Sequence, residues 1–479
     1  MKVVDAVKVD ESEIKGKECR HISYAIDRDK KHDALFVKEY IHLKNGKIIN
    51  NFKMIEDLER PFWVTKKGRR DYVTKQQWER IENCDMYTCR EMDLVRRADL
   101  ALGGNGYIPH RRMLFQSPYL YGCEVKPQSI VKNGYIEKYP DSISPLARVA
   151  ACDTETDVLN GTEDIIIMSL SFKDRAVVAI DRNFFEGTPD TVILERLNVT
   201  LHQLLKKYIE ERNLKVEFVL VDNCAEAVIE VINRAHSWEP DFIEFWNITF
   251  DIEKMITALK KNGYNPEDVF SDPRVPEKYR FFRYRRGELT KTTHDGTTTS
   301  INPEAAWHLI ECPATFFMQD GMTLYYRLRL SAGRDEAGYS LNATLDRELD
   351  ISKLEIDETK NLVGLAYHRE MQRNYKYEYV IYCLFDSISL ELLDEKTGDI
   401  AIKFPAQCRN SDYTDFRSGP KKIADNMHFH VLKEGYVFAV SDGDMRDEND
   451  KHILVSKDWI CTLPSFMTNN IGIDFLEYE

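Results

Sequence analysis

No stretch of about 18 consecutive apolar residues occurs in the 479-residue sequence, so nothing in it predicts a membrane-spanning helix. The opening MKVVDAVKVDESEIK is polar and charged and lacks the apolar centre of a secretory signal, which predicts a cytoplasmic protein. The 10 cysteines form no paired framework. Cys84 and Cys89 are the nearest pair, no second pair or histidine cluster completes a zinc site, and all read as reduced thiols. A phosphate-cradling loop is missing as well: Gly103-Gly104-Asn105-Gly106 has the glycines but no lysine at the P-loop spacing, and reads as a turn. Positive charge is not in excess. A net charge of −14 excludes a general nucleic-acid coat, leaves room for a local basic groove, and suits a site that gathers divalent cations.

The length predicts about three domains, and 43% hydrophobic with 30% charged residues is an ordinary globular balance. Residues 1–140 mix short β-rich runs, such as Ala34–Tyr40 and Lys47–Phe52, with turns and a basic loop from Lys66 to Arg70. The basic-aromatic segment His110 to Tyr121 reads as a surface loop. From about residue 141 the pattern becomes one of alternating strands and helices. Ile165–Phe172 and Ala176–Asp181 flank the polar turn Lys173-Asp174-Arg175, which predicts a hairpin. Leu214–Val221 is a further apolar run; Asn223 then suits an N-cap for a helix over Ala225 to His236. A strand over Asp241–Trp246 leads to a helix through Ile252, Met255, Ile256 and Leu259 that closes at Gly263.

Within that alternation, three acidic signals stand in order. The run Val149 to Cys152 ends on Asp153 and Glu155, whose i, i+2 spacing puts both carboxylates on one face of a strand. Asp251, in Asn247-Ile248-Thr249-Phe250-Asp251, sits at a strand-to-helix junction. A helix over residues 372–393 has Ile381, Leu384, Ile388 and Leu392 as its buried stripe, with Tyr382 and Asp386 at i, i+4 on another face. Between the second and third signals lies a basic insertion, about 270–302. Arg274, Lys278, Arg280, Arg283, Arg285 and Arg286 interleave there with Tyr279, Phe281, Phe282 and Tyr284, a composition suited to phosphate contacts and base stacking. The Thr-rich flanks of Asp295-Gly296 predict a protruding β-hairpin.

Taken together, D-x-E, N-x-x-F-D and Y-x-x-x-D resemble the three exonuclease motifs of family B DNA polymerases, of the T-even-like or large-phage type. The intervening Gln319-Asp320-Gly321-Met322 with Leu324-Tyr325-Tyr326, and Tyr339-Ser340-Leu341-Asn342, also resemble segments of that family. The resemblance runs from about Leu146 to Leu393 and more faintly from the N-terminus to about Tyr436. It implies an α/β, ribonuclease H-like (DEDD) exonuclease domain with a mixed sheet over 141–394, flanked by an α+β N-terminal domain over 1–140. Residues 395–440 would return to the N-terminal domain and 441–479 would begin a palm. It further implies two Mg²⁺ or Mn²⁺ ions held by Asp153, Glu155, Asp251 and Asp386, with Tyr382 orienting water or phosphate. Thr154, Asn247 and Phe250 would line the pocket for the DNA 3′ end, and Arg283, Arg285 and Arg286 would touch the strand. Oxygen ligands are what hard cations demand.

The polymerase half is missing. No D-x-x-S-L-Y-P, fingers lysine or Y-x-D-T-D follows, and Asp412-Tyr413-Thr414-Asp415 comes only 26 residues after Asp386, before a palm could form. The chain therefore resembles the exonuclease half of a split or truncated polymerase. Its implied partners are DNA, a palm-bearing polypeptide docking near 395–479 and other replication proteins such as a sliding clamp, and no membrane. One alternative stays open, a non-catalytic DNA-binding scaffold or accessory subunit; a free-standing ribonuclease would not explain the long N-terminal region or the palm-like lead-in.

Overall fold

The change in sequence pattern near residue 141 coincides with a structural boundary. The computed structural model describes residues 2–5, 7–72, 78–107, 114, 117–142, 146–292, 297–330, 338–438, 459–461 and 475–477. The chain divides into two compact units, 1–143 with 404–479, and 144–403.

In the first unit, long β-rich runs make an antiparallel sheet in the order Lys2–Asp5, Ile48–Glu56, Asp33–Leu43, Ile14–Ile26. A second antiparallel sheet joins Cys84–Arg90, Glu59–Thr65 and Leu120–Tyr121. The glycine cluster ends the helix Leu94–Leu102: Gly103, at φ 100°, donates its N–H to the carbonyls of Asp99 and Leu100, a left-handed cap that suits glycine. Asp412 caps a short turn by accepting from Thr414 N at 2.8 Å, and Asp415 pairs with Lys126 at 2.8 Å, so this tetrapeptide is structural. Half of the basic-aromatic segment, 110–113 and 115–116, lies outside the described residues, as do 439–458, 462–474 and 478–479 of the region expected to dock a palm. Of Trp459, Ile460 and Phe475 only the strand backbone is described.

The second unit is built on a six-stranded mixed sheet. Its strands are β1 (Val149–Thr156), β2 (Ile165–Phe172), β3 (Arg175–Asp181), β4 (Lys215–Val221), β5 (Phe242–Phe245) and β6 (Phe317–Asp320), in the order β4-β3-β2-β1-β5-β6. β1, β2 and β3 form an antiparallel meander, while β4 joins β3, and β5 joins both β1 and β6, in parallel. Every residue of β2 is buried, as befits a strand covered on both faces. The helices are α1 (Asp190–Leu204), α2 (Cys224–Trp238), α3 (Ile248–Lys261), α4 (Gly321–Leu328), α5 (Leu341–Leu349), α6 (Leu365–Asn374) and α7 (Lys376–Thr397). The apolar stripes of α2 and α3 pack on one face of the sheet and those of α1 and α7 on the other.

Asn223 does cap α2, its side chain accepting from Ala225 N and Glu226 N. The helix foreseen over 372–393 is corrected: Tyr375, at φ −130° and ψ 47°, breaks it into α6 and α7, and α7 runs on to Thr397. No glycine or proline marks that break, so sequence periodicity carried across it. The DG and YSL strings prove to be helix starts, Asp320 capping Thr323 N and Ser340 capping Ala343 N. Among the described residues no helix is long and apolar enough to cross a membrane, and the nine cysteines whose side chains are described are free.

Candidate metal centre

Period-2 alternation decides what β1 offers to each side of the sheet. Ala150 and Cys152 join the core under α2 and α3, whereas Ala151 packs on Leu341, Leu345, Leu390 and Leu393 from α5 and α7. Asp153 and Glu155 share the side of Ala151, so the two carboxylates emerge toward α7. There they meet Asp386, and one ligand oxygen from each of the three lies within 4.8 Å of the others. Glu155 and Asp386 are buried and Asp153 is half-buried.

Crowding like charges away from water favours protonation. Burial first, then Asp386 and Glu155, push Asp153 well above the usual carboxylate range. Glu155 is pushed up to about 8, chiefly by burial and against the hydrogen bond it receives from Tyr379. Asp386 rises less: burial drives it up, and Lys353 opposes. Two oxygens of the group, Asp153 Oδ2 and Asp386 Oδ1, are buried without any hydrogen-bond partner. Three converging carboxylates, two of them with an uncompensated oxygen, and no soft ligand among them, fit a hard divalent cation such as Mg²⁺ or Mn²⁺.

The fourth expected acid stands on the other side of β1. Asp251, in the first turn of α3, accepts from Thr154 Oγ1 at 2.6 Å, because Thr154 alternates away from Asp153 and Glu155. It is still near enough for Asp153 to raise its pKa, after burial. The junction that carries it is tied down by Asp320, whose Oδ2 accepts from Ile248 N at 3.0 Å. Asn247 is exposed at φ 67° just before α3, and Phe250 is 45% exposed with Lys254 Nζ 5.8 Å from its ring centre.

Lys353 was not foreseen. Its Nζ donates to Asp386 Oδ2 at 2.5 Å and to Tyr382 Oη at 3.0 Å, so Tyr382 stands in the site as the lysine's acceptor. Burial alone would lower Lys353, but Asp386 and Asp153 hold it above the usual lysine range. Tyr379, His368 and Gln372 were also missed. Tyr379 donates to Glu155 Oε2, and the Tyr379–Tyr382 spacing, one turn on a single helix, was the one sequence signal for it. Lys353 lies 33 residues from Asp386 with no periodic relation to it.

The basic insertion forms two short ladders, Arg283–Arg285 with Leu309–Glu311 and Thr290–Thr292 with Thr298–Ser300; the turn, 293–296, lies outside the described residues. Much of its foreseen display is turned inward. Tyr279 is buried, Phe282 stacks on Phe270 at 4.4 Å, and Tyr284 stacks on His308 at 6.3 Å. Arg283 lies 3.7 Å from Glu311 and Arg286 3.4 Å from Glu253, while Arg285 is exposed. Where the insertion leaves the core, Gly287 approaches the returning chain so closely that a Cβ would lie 2.7 Å from Trp307 N, and its own N–H donates to His308 Nδ1 at 3.1 Å. No protein-family model and no curated protein matches this chain.

Proposed function

We propose that the chain is a 3′→5′ DNA exonuclease of ribonuclease H-like fold, of the kind that proofreads for a family B-type polymerase. The observation that carries the reading is the convergence of Asp153, Glu155 and Asp386 within 4.8 Å beside two unpartnered buried oxygens. An antiparallel meander continued by parallel strands, with the acids on the central strand β1, supports it.

Divalent ions bound at such a site supply an activated water and relieve charge at the scissile phosphate. Asp153, Glu155 and Asp386 would hold them, and Asp251 would support them from across β1. In the reaction, the water oxygen bonds to phosphorus and the P–O3′ bond breaks; a 5′-mononucleotide leaves, and the shortened strand keeps a 3′ hydroxyl. Lys353 fixes Asp386 and Tyr382 together, which orders that side of the pocket before substrate arrives. Asn247 and Phe250 receive the terminal nucleotides, with Phe250 as a stacking surface. The proposed partners are single-stranded or frayed primer DNA, a polymerase palm and other replication proteins.

The test is a 5′-labelled single strand incubated with Mg²⁺ or Mn²⁺ and either the wild-type protein or Asp153→Asn. Wild type should give a ladder shortened from the 3′ end, and Asp153→Asn about a thousandfold less product, the size of several kcal/mol of lost charge stabilisation. An intact strand in both reactions would overturn the nuclease and favour a DNA-binding scaffold.

A further inference from the structure

We infer that Tyr379 is a positioning residue for the cation site: braced from α6 by His368 and Gln372, its hydroxyl fixes Glu155 as a ligand. The inference rests on the metal-dependent reading of the carboxylate group and adds residues that no part of that reading uses.

Tyr379 and Tyr382 sit one turn apart on α7 with rings stacked, centroids 6.0 Å apart and planes 8° from parallel. The two phenols serve different acids. Tyr382 accepts from the lysine that holds Asp386, whereas Tyr379 donates to Glu155 Oε2. Tyr379 is fully buried, where a hydroxyl without partners would be costly. Its single proton is committed to Glu155, so its other neighbours must donate into the phenol oxygen. They are His368 Nδ1 at 2.9 Å and Gln372 Nε2 at 3.4 Å, two residues at i, i+4 on α6.

Gln372 holds the strand as well as the tyrosine. Its Nε2 donates to Thr156 O at 2.7 Å, and its Oε1 accepts from Val158 N at 3.1 Å and Leu159 N at 3.0 Å. The chain immediately after Glu155 is thereby clamped to the same helix that steadies the phenol. A glutamate side chain is otherwise free to rotate and must be ordered when a cation binds. Here backbone and carboxylate are both set in advance, the arrangement by which residues behind the ligands tune a metal site.

The experiment is a Mn²⁺ titration of the full chain, stripped with chelator, followed by calorimetry and by electron paramagnetic resonance of free Mn²⁺. Tyr379→Phe should bind Mn²⁺ about tenfold more weakly, the low end of what such supporting groups contribute. His368→Ala should also weaken binding, and His368→Gln, which can still donate to the phenol, should restore it. Should Tyr379→Phe fail to fold, the two His368 variants decide. Wild-type affinity in Tyr379→Phe, or equal affinities in the two His368 variants, would overturn the inference even if the wild type cuts DNA. Wild type that binds Mn²⁺ and cuts nothing would overturn the exonuclease instead, with the positioning role still decided by the variants. Wild type that binds no Mn²⁺ would overturn both.

Discussion

Glu155 and Glu244 are two buried glutamates on neighbouring strands of one sheet, and they face the same side of it. Glu244 on β5 pairs with Ala151 of β1, which alternates onto the face of Glu155. Burial raises both carboxyls well above their ordinary range, and other acids add to the rise. Their neighbours differ. Around Glu244, Asp394 is taken by Ile400 N at 2.6 Å, Asp399 by Arg329 at 2.6 Å, Asp320 by Thr323 N at 2.8 Å and Glu391 by Lys173 N at 2.7 Å. Glu244 Oε1 packs against Gly321, where a Cβ would collide with it. Around Glu155 the acids converge and keep oxygens uncommitted. Glu244 Oε2 is likewise buried without a partner, so one uncommitted oxygen in negative surroundings makes only a neutral, structural acid; a ligand set needs several carboxylates brought within reach of one ion.

The sharpest way to break this contrast is a pair of isosteric neutralisations. Glu155→Gln should lower the proposed DNA hydrolysis about a thousandfold, whereas Glu244→Gln should leave it within about threefold, as read from single-turnover rates. Comparable losses in both would erase the distinction.

Next in size is a difference in stability against pH. Glu244 is raised above its ordinary 4.5 in the folded chain, so its contribution is fully present below 4.5 and is lost as pH rises toward the folded value. Glu244→Gln removes that loss. Its stability relative to wild type should climb from about pH 4.5 upward, with a slope approaching about 1.4 kcal/mol per pH unit, in urea titrations with chelator present. A flat difference from pH 5 to 7 would mean that Glu244 ionises normally.

A smaller effect tests the lysine in the site. Lys353→Met leaves Asp386 without its charge partner and should cost about 2 kcal/mol, below the ~3–5 kcal/mol of a fully buried pair because the lysine side chain is 28% exposed. The measurement is chemical denaturation of the metal-free protein at neutral pH. An unchanged midpoint would show that Asp386 is held neutral without the lysine.

Much of the second unit was legible because alternation and helical spacing are local. The D-x-E strand, the hairpin after it, the cap at Asn223 and the junction at Asp251 all follow from residues within one or two turns of each other. That Asp153 and Glu155 would meet Asp386 came from resemblance, not from spacing. What sequence did not disclose is contact across long separations: Lys353 on Asp386, Thr154 on Asp251 and Gln372 on the end of β1. Each is one polar side chain against one distant acceptor, and such a pair leaves no period in the chain. The interrupted helix at Tyr375 escaped for a different reason, since a tyrosine carries no breaker signal. The basic insertion misled by composition, because aromatic rings that could stack on bases stack equally well on Phe270 and His308.

The pinch at Gly287 has a meaning for chain length. A segment that departs and returns through backbones in van der Waals contact closes its own loop at the core surface. The ladder Thr290–Thr292 with Thr298–Ser300 lies beyond that point, and each doubling of the loop's length would cost only about 0.6 kcal/mol in closure entropy. The sheet beneath is indifferent to how long that appendage is. It could be shortened to a few residues, lengthened, or exchanged for a reporter segment without disturbing the carboxylates, provided residue 287 stays glycine.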